Sequence, residues 1–95
     1  LTYSQLGKMF LDAGDVRKAE KCFNNASEHF IKLGNAPGEA AVLRLLANVY
    51  IRVADRVSAI RCLERVVFLA THYDLPELGH DLESLKHIRQ SAPHP

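Results

Sequence analysis

Residues 3–26 read YSQLGKMFLDAGDVRKAEKCFNNA, and residues 43–66 read LRLLANVYIRVADRVSAIRCLERV. Laid over one another at a shift of 40, Leu6 falls on Leu46, Asp15 on Asp55, Ala19 on Ala59 and Cys22 on Cys62. Gly7 meets Ala47, Phe10 meets Tyr50, Leu11 meets Ile51, Lys21 meets Arg61 and Phe23 meets Leu63. Such self-similarity marks a repeat architecture, in which one supersecondary unit is stacked on the next. The matched residues suit two packed helices. A small residue lets a partner helix approach, large apolar residues fill the contact, and an acid opens the second helix. A shift of 39 carries the pattern further, aligning Pro37 with Pro76, Leu43 with Leu82 and Leu46 with Leu85. The chain therefore reads as helix pair, helix pair, closing helix.

Apolar spacing and punctuation place the helices. Tyr3, Leu6, Phe10 and Ala13 recur at steps of three and four until Gly14-Asp15 interrupts them. Asp15 suits the N-cap of a second helix with Ala19, Cys22, Phe23, Ala26, Phe30 and Leu33 on one face. Gly34-Asn35 ends that helix, because glycine tolerates the left-handed turn required there. A third helix is expected after Pro37, with Val42, Leu43, Leu46, Val49, Tyr50 and Val53 inward. Asp55 opens a fourth, carrying Ala59, Ile60, Leu63, Val66, Val67 and Ala70. Asp74-Leu-Pro-Glu77 reads as a capping box with proline in the first turn of a fifth helix, whose apolar face is Leu78, Leu82, Leu85 and Ile88. The spacing predicts helices near 2–13, 16–33, 38–53, 56–72 and 76–90, an all-α chain with a disordered tail over 91–95.

These residues resemble the tetratricopeptide repeat family. Its pattern has an aromatic, Leu-Gly and an aromatic on one helix, then alanine, an aromatic and alanine on the next. Tyr3, Leu6-Gly7, Phe10, Ala19, Phe23 and Ala26 supply all of it. Leu43, Leu46-Ala47, Tyr50, Ala59 and Leu63 supply most of it again, with Val66 in place of the last alanine. The usual repeat is 34 residues. The 40-residue spacing resembles a longer variety found in scaffold and motor-adaptor proteins, and the family's closing proline is absent from both units. The resemblance implies an α-solenoid of two helix-turn-helix pairs, residues 1–34 and 35–73, plus a capping helix over 74–90.

Composition excludes several other classes. Of the 95 residues, 47% are apolar and 24% charged, so disorder is not the default reading. No apolar run is long enough to span a membrane, and no secretory leader is visible. The chain begins at Leu1 and its first methionine is Met9, as expected of a piece of a longer protein. Cys22 and Cys62 form neither a disulfide framework nor a metal-ligand spacing, which suits a reducing, cytoplasmic setting. His72, His80 and His87 lack the i, i+3 or i+4 pairing a metal site needs. His29 lies seven residues from Cys22, too far along one helix for a nucleophile pair. Gly34-Asn-Ala-Pro-Gly38 has no lysine and follows a helix, unlike a phosphate loop. No catalytic residue, metal or cofactor is expected.

The charge balance is +1, twelve Lys and Arg against eleven Asp and Glu, but it is unevenly spread. Residues 41–70 carry Arg44, Arg52, Arg56, Arg61 and Arg65 against Asp55 and Glu64, whereas four acids outnumber Lys86 and Arg89 in the last stretch. RNA binding through these arginines is one alternative, opposed by the acids that break the basic stripe. A second is a purely structural segment packing on neighbouring repeats. The favoured reading is a protein-interaction scaffold. In a solenoid the first helix of each pair lines the concave face, and the resemblance implies that this face grips a peptide. Its polar candidates are Ser4, Lys8 and Asp12 on the first helix, Arg44, Asn48 and Arg52 on the third, and Glu83 and His87 on the fifth. Asn48 is central because its carboxamide both donates and accepts, and the two arginines favour an acidic ligand. Leu1, Met9 and Leu11, partly outside the intra-pair face, are candidates for self-association.

Overall fold

The computed structural model describes residues 2–91 and contains five helices and no strand among them. They are α1 (Tyr3–Asp12), α2 (Val16–Leu33), α3 (Ala36–Arg52), α4 (Arg56–His72) and α5 (Leu78–Gln90). The tail expected over 91–95 falls, beyond Ser91, outside the described residues, as does Leu1. Each helix packs on its neighbour in the chain, α1 on α2, α2 on α3, α3 on α4 and α4 on α5. That serial order is a stacked solenoid; a four-helix bundle would also close its first helix on its last. The Cα trace measures 41 × 33 × 17 Å, a slab two helices thick.

Side-chain caps fix most of the helix starts. Asp15 and Asp55 accept from the backbone N–H groups of Lys18 and Ser58 at 3.2 and 3.1 Å, satisfying donors that a helix start leaves free. Asn35 does the same for Gly38 at 2.9 Å. As a result α3 begins at Ala36, two residues earlier than expected, with Pro37 inside its first turn. α1 has a reciprocal box the sequence reading passed over, with Thr2 accepting from the Gln5 N–H and Gln5 accepting from the Thr2 N–H. The box expected at Asp74–Glu77 does not form. Asp74 lies in the left-handed region (φ 54°), and Glu77, the N-cap of α5, makes no capping bond; its carboxylate reaches toward Arg44 instead. α5 accordingly starts at Leu78.

The larger core joins α1 to α4 around Phe23, Leu46, Val49, Val66 and Leu69, with Ala19 and Ala40 admitting close helix approach. A smaller one, Ala47, Leu63 and Leu85, ties α3, α4 and α5. Several residues expected inward are exposed. Val53 is 49% exposed because it is the C-cap of α3 rather than part of its buried face. Leu82 is 47% exposed because the buried face of α5 runs Leu78, Asp81, Leu85, Ile88 instead. Tyr3 and Leu33 are also exposed, as is Ala13 in the turn after α1. Met9 is exposed as expected, but Leu11 is half-buried against the core.

Candidate functional site

α3 and α5 border a groove of about 310 Å³. Buried Ala47 and Leu63 form its bottom, Ile51 and Ile88 its apolar sides, and Asn48, Ser84 and His87 its polar rim. At one end stand Arg44, His80 and Asp81. Helical spacing accounts for the grouping. Arg44, Asn48 and Ile51 share one face of α3, while His80, Ser84, His87 and Ile88 share one face of α5. A second hollow, lined by Ile51, Ala54, Arg56 and Ile88, continues the groove toward the α3–α4 turn. The surface so formed offers a donor-acceptor amide, a hydroxyl and imidazoles beside an apolar bed.

The structure distributes the sequence candidates unequally. Asn48 and His87 come together across the groove. Arg44 lines it, but its guanidinium is already engaged. Nε and Nη2 donate to the two oxygens of Asp81, each at 2.8 Å, and Nη1 lies 3.5 Å from Glu77. Asp81 is 1% exposed. The hydrogen bonds to Asp81 raise the Arg44 pKa, outweighing the opposing effect of burial. Stripping Arg44 away would leave a buried carboxylate unpaired, a loss of about 3–5 kcal/mol. Its charge is therefore answered from within the fold, against the expectation of a free cation for an acidic ligand. Arg52 reaches the Leu11 carbonyl at 3.5 Å, at the end of α1. Lys8 and Asp12 are exposed and Ser4 half-buried on α1, outside this groove. Glu83 lies on another face of α5, beside Leu82, Lys86 and Arg89.

The other arginines of 41–70 also brace helices. Arg56 donates to the carbonyls of Ile88 and Arg89 at 3.1 and 3.3 Å, satisfying acceptors left free at the end of α5. Arg65 grips the buried Glu39 with bonds of 2.8 and 3.3 Å, and those bonds raise its pKa. Arg61 is exposed on α4. Cys22 and Cys62 are half-buried free thiols; desolvation pushes the Cys62 pKa up to about 11, which disfavours the reactive thiolate. His72 stacks on Phe68 on α4, well apart from the groove histidines in the chain. No helix among the described residues is long and apolar enough to cross a membrane.

Sequence reasoning missed Asp81, Ser84, Ile51 and Ile88 as parts of this site, and weighed His80 only as a metal ligand. Asp81 did leave a trace: it lies three after Leu78 and four before Leu85, an acid on an apolar helical stripe. Such a placement calls for a buried cation partner.

The fold is an all-α helical repeat of the α-solenoid class. A family model described as Tetratricopeptide repeat matches residues 1–70. The chain belongs to that family, whose repeats generally mediate protein–protein interaction. No curated protein and no solved structure matches it significantly.

Proposed function

We propose that this chain is an interaction scaffold whose α3–α5 groove holds a segment of a partner protein. The observation that carries the reading is the grouping of Asn48, Ser84 and His87 around an apolar bed of Ile51, Leu63 and Ile88. Small-molecule and peptide sites share that composition, with apolar area for affinity and a few polar groups for orientation. Asn48 is the principal contact, His87 and Ser84 face it, and Arg44 acts by holding α5 in place. Arg52 on α3, Lys8 and Asp12 on α1, and Glu83 on the other face of α5 would be outlying contacts beyond the groove itself. The units are residues 1–34 and 35–73, closed by 74–90, and the two free thiols go with a reducing, cytoplasmic setting.

Peptides selected from a displayed library on the whole chain test this reading. Asn48→Arg, which fills the groove, should abolish binding of the selected peptides, and Arg61→Ala on α4 should leave it unchanged. Equal affinity of Asn48→Arg and the parent chain would sink the groove assignment.

A second reading, packing on neighbouring repeats of the parent protein, is favoured by exposed Leu82 and the hollow beside it that Lys86 and Arg89 rim. Isolated chains would associate with one another through the other end of the stack, where Met9 on α1 is exposed. RNA binding through 41–70 is the weaker alternative, because Arg44, Arg52, Arg56 and Arg65 already serve neighbouring helices.

A further inference from the structure

We propose that the outer face of α5 is a second docking surface, separate from the groove. It takes one helix of a partner protein, laid antiparallel as α4 lies on α3 and carrying an acid against Lys86.

The inference starts from a register. At the shift of 39, Ala40, Leu43, Ala47 and Tyr50 of α3 fall on Gly79, Leu82, Lys86 and Arg89 of α5. In α3 that stripe is covered. Ala40, Leu43 and Ala47 are buried, and Ala47 packs with Leu63 of α4. In α5 the same stripe is bare, with Gly79, Leu82, Lys86 and Arg89 all exposed. Beside Leu82 lies a hollow of about 480 Å³ that reaches Leu85, Lys86 and Arg89. Gly79 has no neighbour within 4 Å of an added Cβ, so nothing within the chain calls for glycine there, although glycine weakens a helix. A helix lying on the stripe would use the missing side chain, as α4 uses the small side chain of Ala40.

The residues that differ between the two stripes select the occupant. Where α3 offers a wholly apolar and aromatic stripe, α5 offers one apolar centre, Leu82, rimmed by Lys86 and Arg89. An apolar centre inside a polar rim is the build of an interface between separate chains, which favours a partner over a following repeat. Arg89 is already answered by Glu64 of α4 at 2.6 Å. Lys86 has no ion pair among the described residues. Glu83, also on the hollow, corresponds to Arg44 and lies off the stripe. Lys86 stands where Ala47 meets Leu63, so a helix seated like α4 needs a carboxylate at the place of Leu63. Extending that antiparallel register by helical steps sets an apolar residue, at the place of Val66, against Leu82. A small residue, at the place of Ala70, then faces Gly79.

The test uses the whole chain and three stapled helical peptides that carry leucine and alanine at the places of Val66 and Ala70. They differ only at the place of Leu63, which holds glutamate, glutamine or leucine. By fluorescence anisotropy the glutamate peptide should bind about tenfold tighter than the other two, the effect of a close interfacial charge pair. Lys86→Glu should remove that preference, and Leu82→Asp should abolish binding of all three. Both positions are exposed, so circular dichroism of these variants should match the parent chain. Asn48→Arg, which fills the groove, should leave the affinities unchanged. A leucine peptide that binds as tightly as the glutamate one would mark the face as the seat of a following repeat and overturn the partner assignment. Binding that survives Leu82→Asp, or that is lost in Asn48→Arg, would place the peptides elsewhere and overturn it too. So would failure of the glutamate peptide to bind the parent chain.

Discussion

The two helix pairs share a frame but solve its central contact differently. In α1/α2 a glycine faces a phenylalanine: a Cβ added to Gly7 would stand 2.5 Å from the Phe23 ring. In α3/α4 the corresponding residues are Ala47 and Leu63, and both are buried in the smaller core with Leu85. A methyl group has moved across the interface while the small-on-large logic stays the same. The turns differ in the same spirit. Gly14 takes a φ of 81° between α1 and α2, whereas Ala54 takes 59° between α3 and α4, a region costly to any residue with a Cβ. The first pair is built with the residue each position wants. The second accepts compromises, and it is the second that borders the groove.

The largest expected effect tests the ring itself. Phe23 is fully buried, so Phe23→Ala should cost about 3–5 kcal/mol and unfold so small a chain. Leu63→Ala, removing fewer atoms, should cost less under the same urea titration. Equal losses would break the comparison.

Gly7→Ala comes next, at about 1–3 kcal/mol of overpacking against Phe23. Combining it with Phe23→Leu recreates the Ala47/Leu63 solution, so the double variant should lose about 1 kcal/mol less than the two single losses added. Gly79, with nothing within 4 Å of an added Cβ, is the contrast: Gly79→Ala should gain up to about 1 kcal/mol from helix propensity alone. Additive behaviour at Gly7 and Phe23 would show that the methyl exchange is not what balances the two interfaces.

A smaller change sharpens the turn comparison. Ala54→Gly should stabilise by about 0.5–1 kcal/mol, because relief of the left-handed strain exceeds glycine's entropic penalty. Gly14→Ala should destabilise by a similar amount. A thermal melt in which Ala54→Gly lowers the midpoint would refute the strain assignment.

The smallest effect concerns Phe10 and Tyr50, which also correspond. Burial, with the Glu20 carboxylate nearby, pushes the Tyr50 phenol up to about 12. The fold therefore favours its neutral form. That contribution is fully present below the ordinary tyrosine pKa of about 10 and is lost as pH rises through about 12. Replacing Tyr50 with phenylalanine, as in the first pair, should flatten the fall in melting temperature over that window. An identical alkaline profile in Tyr50→Phe would remove the phenol from the account.

Most of the fold was legible because it rests on periodicity that one chain displays twice. Asp15 with Asp55, Ala19 with Ala59 and Gly7 with Ala47 are local or nearly local features, readable from helix geometry. The site was less so. Arg44 looked like a free cation because its partner Asp81 is 37 residues away, and nothing local announces a pair closed by tertiary packing. The expected α5 face was drawn through Leu82, since hydropathy alone prefers leucine to aspartate. Only the demand that a buried acid find a cation rotates the helix onto Asp81. Asn48 and His87 were legible from repeat register, whereas Ser84 and Ile88 needed that rotation first.

The clasp between Arg44 and Asp81 has a mechanical meaning. The backbones of α3 and α5 scarcely meet, so each is held chiefly by α4, like two leaves on a shared spine. One guanidinium–carboxylate fork is the strut between the leaves. It ties α5 to α3 at one end of the groove, while Arg56, the first residue of α4, grips the Ile88 and Arg89 carbonyls and ties α5 to α4 at the other. The angle between the leaves thus depends on side chains as well as on helix packing. Shortening that strut, as in Arg44→Lys, would loosen the join of α3 to α5 while leaving every apolar core residue in place.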